Sequence, residues 1–414
     1  MNSLRSKSHR IHHSDWSMAR LTVGMTMIAT FCVFVPAEAQ ALPVFARNYD
    51  VPCSSCHSAI PRRNEYGDAF AYNGYQWPGE GDEDSMQTGG EFVHMRGSGL
   101  TEGLLEKHLP LGLLISMSAT YLDDPTILEP LQTGNPSLKL VAGGKMGEKF
   151  SFYGNWSGGS NFNEIMLLYN RILDTQALNV RFGKFEQSTT LFKSNQSLIA
   201  NFMLGSKAIT GHSNTKSRIG GELWGIFGER AEWALGAVRN DGSDSKTDGY
   251  YRIGYKFGGA TLTGEEPDIS LEEPSVLDDI SLHIAQWGYL GKVSDLEGYT
   301  IADIRRLGVD MKYNWREFGL LTGLALGLDQ NREIGRQHTH LTGFSEFCYA
   351  LNSWLIALYM IQFHDTSSSE RLELQHDVGF VTLLQENIRA TLKYSYSDDL
   401  IQNERVELQV LFGM

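Results

Sequence analysis

The sequence predicts an all-β protein, an outer-membrane-type barrel of about sixteen antiparallel strands preceded by a short α-helical N-terminal segment. Three observations predict it. Segments of about ten residues alternate apolar with polar side chains through most of residues 110–413, the period of a strand with one apolar face. The connections between these segments alternate between short and long, as in barrels with tight turns at one rim and loops at the other. Finally, no stretch beyond the leader is apolar enough to cross a bilayer as a helix, which needs ~20 consecutive apolar residues. The 43 glycines and 11% aromatic residues suit a sheet-rich chain with many turns.

The first element, residues 1–39, reads as a secretory signal peptide. Arg5, Lys7, Arg10 and Arg20 make a basic start, Leu21 to Val35 an apolar core, and Ala37-Glu38-Ala39 or Ala39-Gln40-Ala41 a small-x-small cleavage pattern. Removing it takes away four basic and two acidic residues and moves the net charge from −14 to about −16. An exported chain this acidic is a poor partner for nucleic acid, and none is expected. Cys32 leaves with the leader and Cys348 stands alone in an apolar stretch, so no disulfide framework is predicted.

The second element, residues 40–90, carries the strongest chemical signal, Cys53-Ser54-Ser55-Cys56-His57. Two thiols three positions apart on one turn can each form a thioether with a haem vinyl group. The next residue then presents its imidazole to the iron. A zinc site would need a second Cys/His pair, which is absent. A thioredoxin-type dithiol would need a βαβ context, also absent. The expectation is one covalent haem c, with Cys53 and Cys56 as thioether residues and His57 as an axial iron ligand.

The flanks of this motif are Pro43-Val44-Phe45-Ala46-Arg47 upstream and Ile60-Pro61-Arg62-Arg63-Asn64, Gly67, Phe70 and Asn73-Gly74-Tyr75 downstream. In this stretch, roughly residues 41–78, the chain resembles the fused monohaem cytochrome c–porin family of outer-membrane electron conduits of iron-oxidising bacteria. The resemblance implies electron transfer between an extracellular donor or acceptor, ferrous iron among them, and a periplasmic c-type cytochrome. It also implies residence in outer-membrane lipid, with the haem segment on the periplasmic side or in the barrel lumen.

Some fifty residues are marginal for an independent core, so the haem is expected to lean on the barrel. Arg62 and Arg63 are read as a barrel-facing or solvated pair before a propionate pair. No Met or His follows His57 before Met86; Met86, His94 and Met95, with His108 behind them, are the candidates for a distal ligand, and an open sixth position is the alternative.

After the acidic linker 79–84, residues 91–414 form the porin-like barrel. Leu307, Val309, Met311, Tyr313 and Trp315 alternate with Gly308, Asp310, Lys312 and Asn314, and Ile388, Ala390, Leu392, Tyr394 and Tyr396 with Arg389, Thr391, Lys393 and Ser395. Sixteen such segments fit, and only residues 258–279 break the rule, being too long for a turn on the short side. A diffusion porin whose haem segment gates or senses is the rival function. It would want a constriction loop, and residues 186–216, with Lys193 and Lys207, are long enough to fold inward. A haem peroxidase would need a distal His-Arg pair, which the motif's surroundings lack. The expected role is electron carrier rather than catalyst of bond chemistry.

Overall fold

The computed structural model describes residues 45, 53–76, 111–122, 130–193, 196–199, 216–240, 246–264, 280–294, 300–332, 335, 337–366, 372–385, 387–398 and 404–413. The leader, the linker, Met86, His94, Met95, His108 and Lys207 lie outside the described residues.

The N-terminal segment is a 3-10 turn (Cys53–Ser55), a hairpin of β1 (His57–Ala59) and β2 (Arg62–Arg63), and the helix α1 (Glu65–Tyr72). The barrel begins with β3 (Leu111–Leu122), β4 (Leu131–Thr133), β5 (Ser137–Lys145), β6 (Phe150–Trp156), β7 (Glu164–Tyr169) and β8 (Asn179–Phe185). It continues through β9 (Arg218–Phe227), β10 (Ala231–Arg239), β11 (Thr247–Gly258), β12 (Ser281–Ser294) and β13 (Thr300–Trp315). It ends with β14 (Phe318–Asn331), β15 (Gln337–Asn352), β16 (Leu355–Thr366), β17 (Glu373–Gln385), β18 (Ile388–Ser397) and β19 (Glu404–Gly413).

Within the barrel each stave pairs antiparallel with its sequence neighbours, and β19 closes antiparallel on β3, with Leu408 opposite Ala119. Closure leaves no edge of unpaired backbone groups, which is what lets a sheet stand in lipid. The short β4 is not a seventeenth stave. The lower part of β3 pairs with β5 and its upper part with β4, so these two pieces form one stave broken at 134–136. Pro136 has no N–H to offer the ladder there. The barrel therefore has sixteen staves.

The alternation sorts by face as the pleat requires. On β13, Leu307 and Val309 are 51% and 47% exposed on the outside, while Arg306 and Asp310 are buried inside. On β18, Leu392, Tyr394 and Tyr396 face out and Arg389, Thr391, Lys393 and Ser395 face in. Outward aromatics gather near the tight-turn rim, where Phe150 stacks on Tyr169 and Tyr255 packs on Phe257, each at 4.6 Å between ring centres. Such girdles mark the interface between hydrocarbon and water.

Inside, charges are paired across strands: Arg252 with Glu232 at 2.7 Å and with Asp310 at 2.9 Å, Arg181 with Glu222 at 2.9 Å, and Arg218 with Asp248 at 3.2 Å. At residues 258–279, β11 and β12 pair directly, Gly258 opposite Ser281, so no other stave stands between them. Their described part, 259–264, instead contacts the N-terminal segment.

Candidate functional site

Residues 53–76 lie within the barrel, at the end that carries the tight turns, in one compact unit with it. Contacts from eight staves hold them. Arg62 of β2 meets Glu346 of β15 at 2.5 Å, and Arg389 of β18 donates to the Ile60 carbonyl at 2.6 Å. From α1, Glu65 pairs with Lys256 of β11 at 2.9 Å and accepts from Ser281 of β12 and Asn314 of β13. Asp68 pairs with Lys312 of β13 at 2.7 Å. Trp224 of β9 donates to the Tyr72 carbonyl, Ser151 of β6 to that of Gly74, and Leu411 of β19 packs on Cys53 and Ile60. Burial works against ionisation of Glu65, but Lys256 and the Ser281 hydroxyl outweigh it and hold its pKa below the usual carboxylate range.

The local fold of the motif follows from short-range chemistry. The Cys56 N–H donates to the Cys53 carbonyl at 3.2 Å and closes the turn. Asn64 caps α1, its Oδ1 accepting from the Gly67 N–H at 2.9 Å, and its Nδ2 donates back to the Ser54 and Ser55 carbonyls at 3.1 Å each. One side chain thus satisfies a helix start and ties it to the Cys–Cys turn. Gly67 permits the contact: a Cβ there would stand 2.1 Å from the Cys56 carbonyl oxygen.

His57 is oriented by its own hairpin. Its Nδ1 lies 3.2 Å from the Arg62 carbonyl oxygen, and since a carbonyl only accepts, Nδ1 carries the proton and donates. Nε2 is then the lone-pair nitrogen, the arrangement that metal-bound histidines show. Burial, partly offset by that hydrogen bond, lowers the His57 pKa to about 4 and keeps the ring neutral. Burial likewise pushes the Cys56 thiol up to about 12, with Cys53 adding to the shift. Cys53, Cys56 and Cys348 form no disulfide.

Cys53, Cys56 and His57 line one cavity of about 950 Å3 that extends around the segment, reaching β3 and β5–β7 on one side and β13, β15 and β18 on the other. That is the upper end of the ~300–1,000 Å3 usual for cofactor pockets. Phe45 stacks on Tyr75 at 5.5 Å and Tyr75 on Tyr153 of β6 at 4.9 Å, giving the cavity an aromatic flank. The donor set and the room fit a haem: Cys53 and Cys56 are the thiols that could bind its vinyl groups, and His57 Nε2 the atom that could ligate its iron. Both arginines already pair with carboxylates of this chain. Arg62 faces the barrel and Glu346, and Arg63 pairs with Asp68 at 3.1 Å.

A second element enters the lumen. After β8 the chain turns inward, and its described residues 186–193 and 196–199 cross toward the far wall. The Leu191 N–H donates to Asp310 of β13 at 3.1 Å, and Phe192 packs edge-on against Phe344 of β15 at 5.3 Å. The described part of 186–216 thus folds inward, as the length of that segment allows, while Lys207 lies outside the described residues. Sequence reading missed its partners, and also the Tyr75–Tyr153 stack and Glu346; charged and aromatic residues on the inward period of β6, β13 and β15 were the signal available.

No protein-family model matches the sequence, and no curated protein is similar to it in sequence. Its fold is similar to solved barrels. The anion-selective porin from Comamonas acidovorans superposes with a TM-score of 0.52 at 13% identity, over 73% of this chain and 98% of that one. The in-vitro folded outer-membrane protein OmpT of Vibrio cholerae gives 0.51 at 10% identity, over 73% and 96%. Salmonella typhi OmpF in complex with daunomycin gives 0.51 at 10%, over 74% and 97%. The likeness is one of fold: this chain is a porin-type barrel.

Proposed function

We propose that this porin-type barrel resides in the bacterial outer membrane and carries one covalent haem c in its lumen. On this reading it passes electrons between an extracellular donor or acceptor, ferrous iron among the candidates, and a periplasmic c-type cytochrome, as the resemblance at residues 41–78 implies. The observation that carries the reading is the joint placement of Cys53, Cys56 and a neutral, tautomer-fixed His57 on one lumenal cavity. A haem bound there supplies reversible one-electron exchange, tuned by axial ligation, burial and nearby charge. The chain's own contribution is to attach, orient and shelter. The two thiols fix the position, the Arg62 carbonyl aims His57, and the aromatic flank with the β3–β7 wall keeps water off one side.

The outward apolar side chains and rim aromatics support residence in lipid, where a barrel's apolar band is ~25 Å tall. A haem at the rim alone would leave most of that distance uncrossed, which is why a lumenal position matters to an electron carrier. The test is a reduced-minus-oxidised spectrum of the outer-membrane fraction, followed by reoxidation with an acceptor too large to enter the pore. A c-type difference spectrum that such an acceptor abolishes supports the reading; a fraction that holds the protein but no haem refutes it.

A second reading has a specific observation behind it. The inward loop at 186–199, with the likeness in fold to porins, favours a diffusion porin in which residues 53–76 gate or sense. The two readings part on conductance. An electron carrier keeps its lumen blocked, whereas a gated porin conducts solutes with the segment in place.

A further inference from the structure

The opposite, loop-bearing end of the lumen holds a feature that neither reading uses. We propose that His340 of β15 and His364 of β16 form a two-imidazole site for a borderline divalent transition-metal cation. The two side chains belong to the inward period of their strands and are 3% and 5% exposed. Their ring centres are 5.9 Å apart with 42° between the planes. An ion ~2.0–2.1 Å from an imidazole nitrogen sits about 3.2 Å from that ring's centre, so two rings sharing one ion stand roughly 5–6.5 Å apart over ordinary bond angles. The observed separation falls within that interval.

A second observation points the same way. His340 Nδ1 is buried and has no hydrogen-bond partner among the described residues. Buried polar nitrogens are ordinarily matched, and a bound cation would match this one. The ring's place is also built for: a Cβ on Gly327 would stand 2.0 Å from His340 Cε1 and Nε2, so glycine at that position makes room for the imidazole.

The surrounding charge does not forbid a cation. Arg306 of β13 and Asp329 of β14 face the same region and are 3.8 Å apart, each offsetting the other. Two nitrogen donors select zinc, copper, nickel or ferrous iron over calcium or magnesium, which prefer all-oxygen shells. The described residues hold no cluster of three His, Cys, Asp or Glu that could bind a metal. The site therefore offers two protein ligands, the remaining positions going to water, and suits a cation held weakly enough to exchange.

The test titrates the full chain in detergent with zinc ion alone and compares the wild type with His340→Gln, His364→Gln and the double variant. Zinc taken by Cys53, Cys56 and His57 is common to all four and cancels in the comparison. His376→Gln is the control, since His376 lies on the outer face in contact with Tyr359. The wild type should bind one more zinc than the double variant. Each single change should weaken that zinc by at least the roughly 10–100-fold that losing even an outer-shell partner costs, and His376→Gln should bind as the wild type does. Because a variant can misfold, copper(II) is also added to the unmutated protein, whose paramagnetic resonance should show coupling to two imidazole nitrogens. Equal zinc stoichiometry in wild type and double variant, or copper coupled to no imidazole pair, overturns the proposal.

Discussion

At the scale of single residues, the motif depends on contacts that span only a few positions. Cys53→Ala/Cys56→Ala should abolish covalent haem, read as loss of haem staining after boiling in detergent; equal staining of variant and wild type would sink the attachment. His57→Ala should leave the stain and change the spectrum of the iron, because the thioethers and the axial ligand are separate bonds. Gly67→Ala is a sharper probe of the fold around them. Its methyl meets the Cys56 carbonyl, backbone that has nowhere to retreat while Asn64 holds the turn. Overpacking of this kind costs about 1–3 kcal/mol. The expected result is faster proteolysis at residues 53–76 with the barrel itself unchanged in detergent gels.

At the scale of elements, the N-terminal segment is held in the lumen by ion pairs rather than by a core of its own. Removing one partner of a buried pair strands the other, at about 3–5 kcal/mol. Glu65→Ala, which leaves Lys256 without its partner, should therefore loosen the segment more than any exposed substitution. The same pair sets a pH dependence. The folded-state pKa of Glu65 is depressed, so its stabilisation is present above the unfolded value of ~4.3 and lost as pH falls below it. Protease cleavage of the segment should rise on acidification through that range, and Glu65→Gln should remove this part of the response.

The staves give a companion test. Val309→Arg or Leu392→Arg puts a charge on the lipid face and should cost about 2–4 kcal/mol near the midplane, read by urea-induced unfolding in liposomes. Ser116→Lys, on the lumenal face, should cost far less. The alternation pattern suggests that charge changes at Asp310, Arg389 or Gln409 are equally harmless, and the structure corrects that. Asp310 is clamped by Arg252 and Leu191, and Arg389 reaches Ile60 and Gln409.

At the scale of the whole molecule, the barrel, the segment and the inward loop together decide whether solutes or electrons pass. Deleting residues 42–78 should raise ion conductance in a planar bilayer and end reduction of an enclosed cytochrome by an impermeant external donor. Intact protein that conducts freely and transfers no electrons would leave the porin reading standing instead.

What the sequence determined by itself is what local periodicity and spacing encode. Sixteen strands were legible within a residue or two at most ends, since a period of two over ten residues is a strong signal and register follows from tight turns. Among the barrel strands only β4, three residues beside Pro136, was too short to register, and in the N-terminal segment the short hairpin of β1 and β2 was not anticipated. The Cys53–Cys56–His57 constellation was legible because its chemistry is fixed by adjacency. Tertiary structure alone decided the rest. Nothing in residues 53–76 says that Arg62 finds Glu346, 284 positions away, or that Glu65 finds Lys256. A charge on a strand's inward period announces a polar lumen, but its partner is set by where barrel closure places it. The His340–His364 pair is of the same kind: two histidines 24 residues apart become neighbours because β15 and β16 pair in one register.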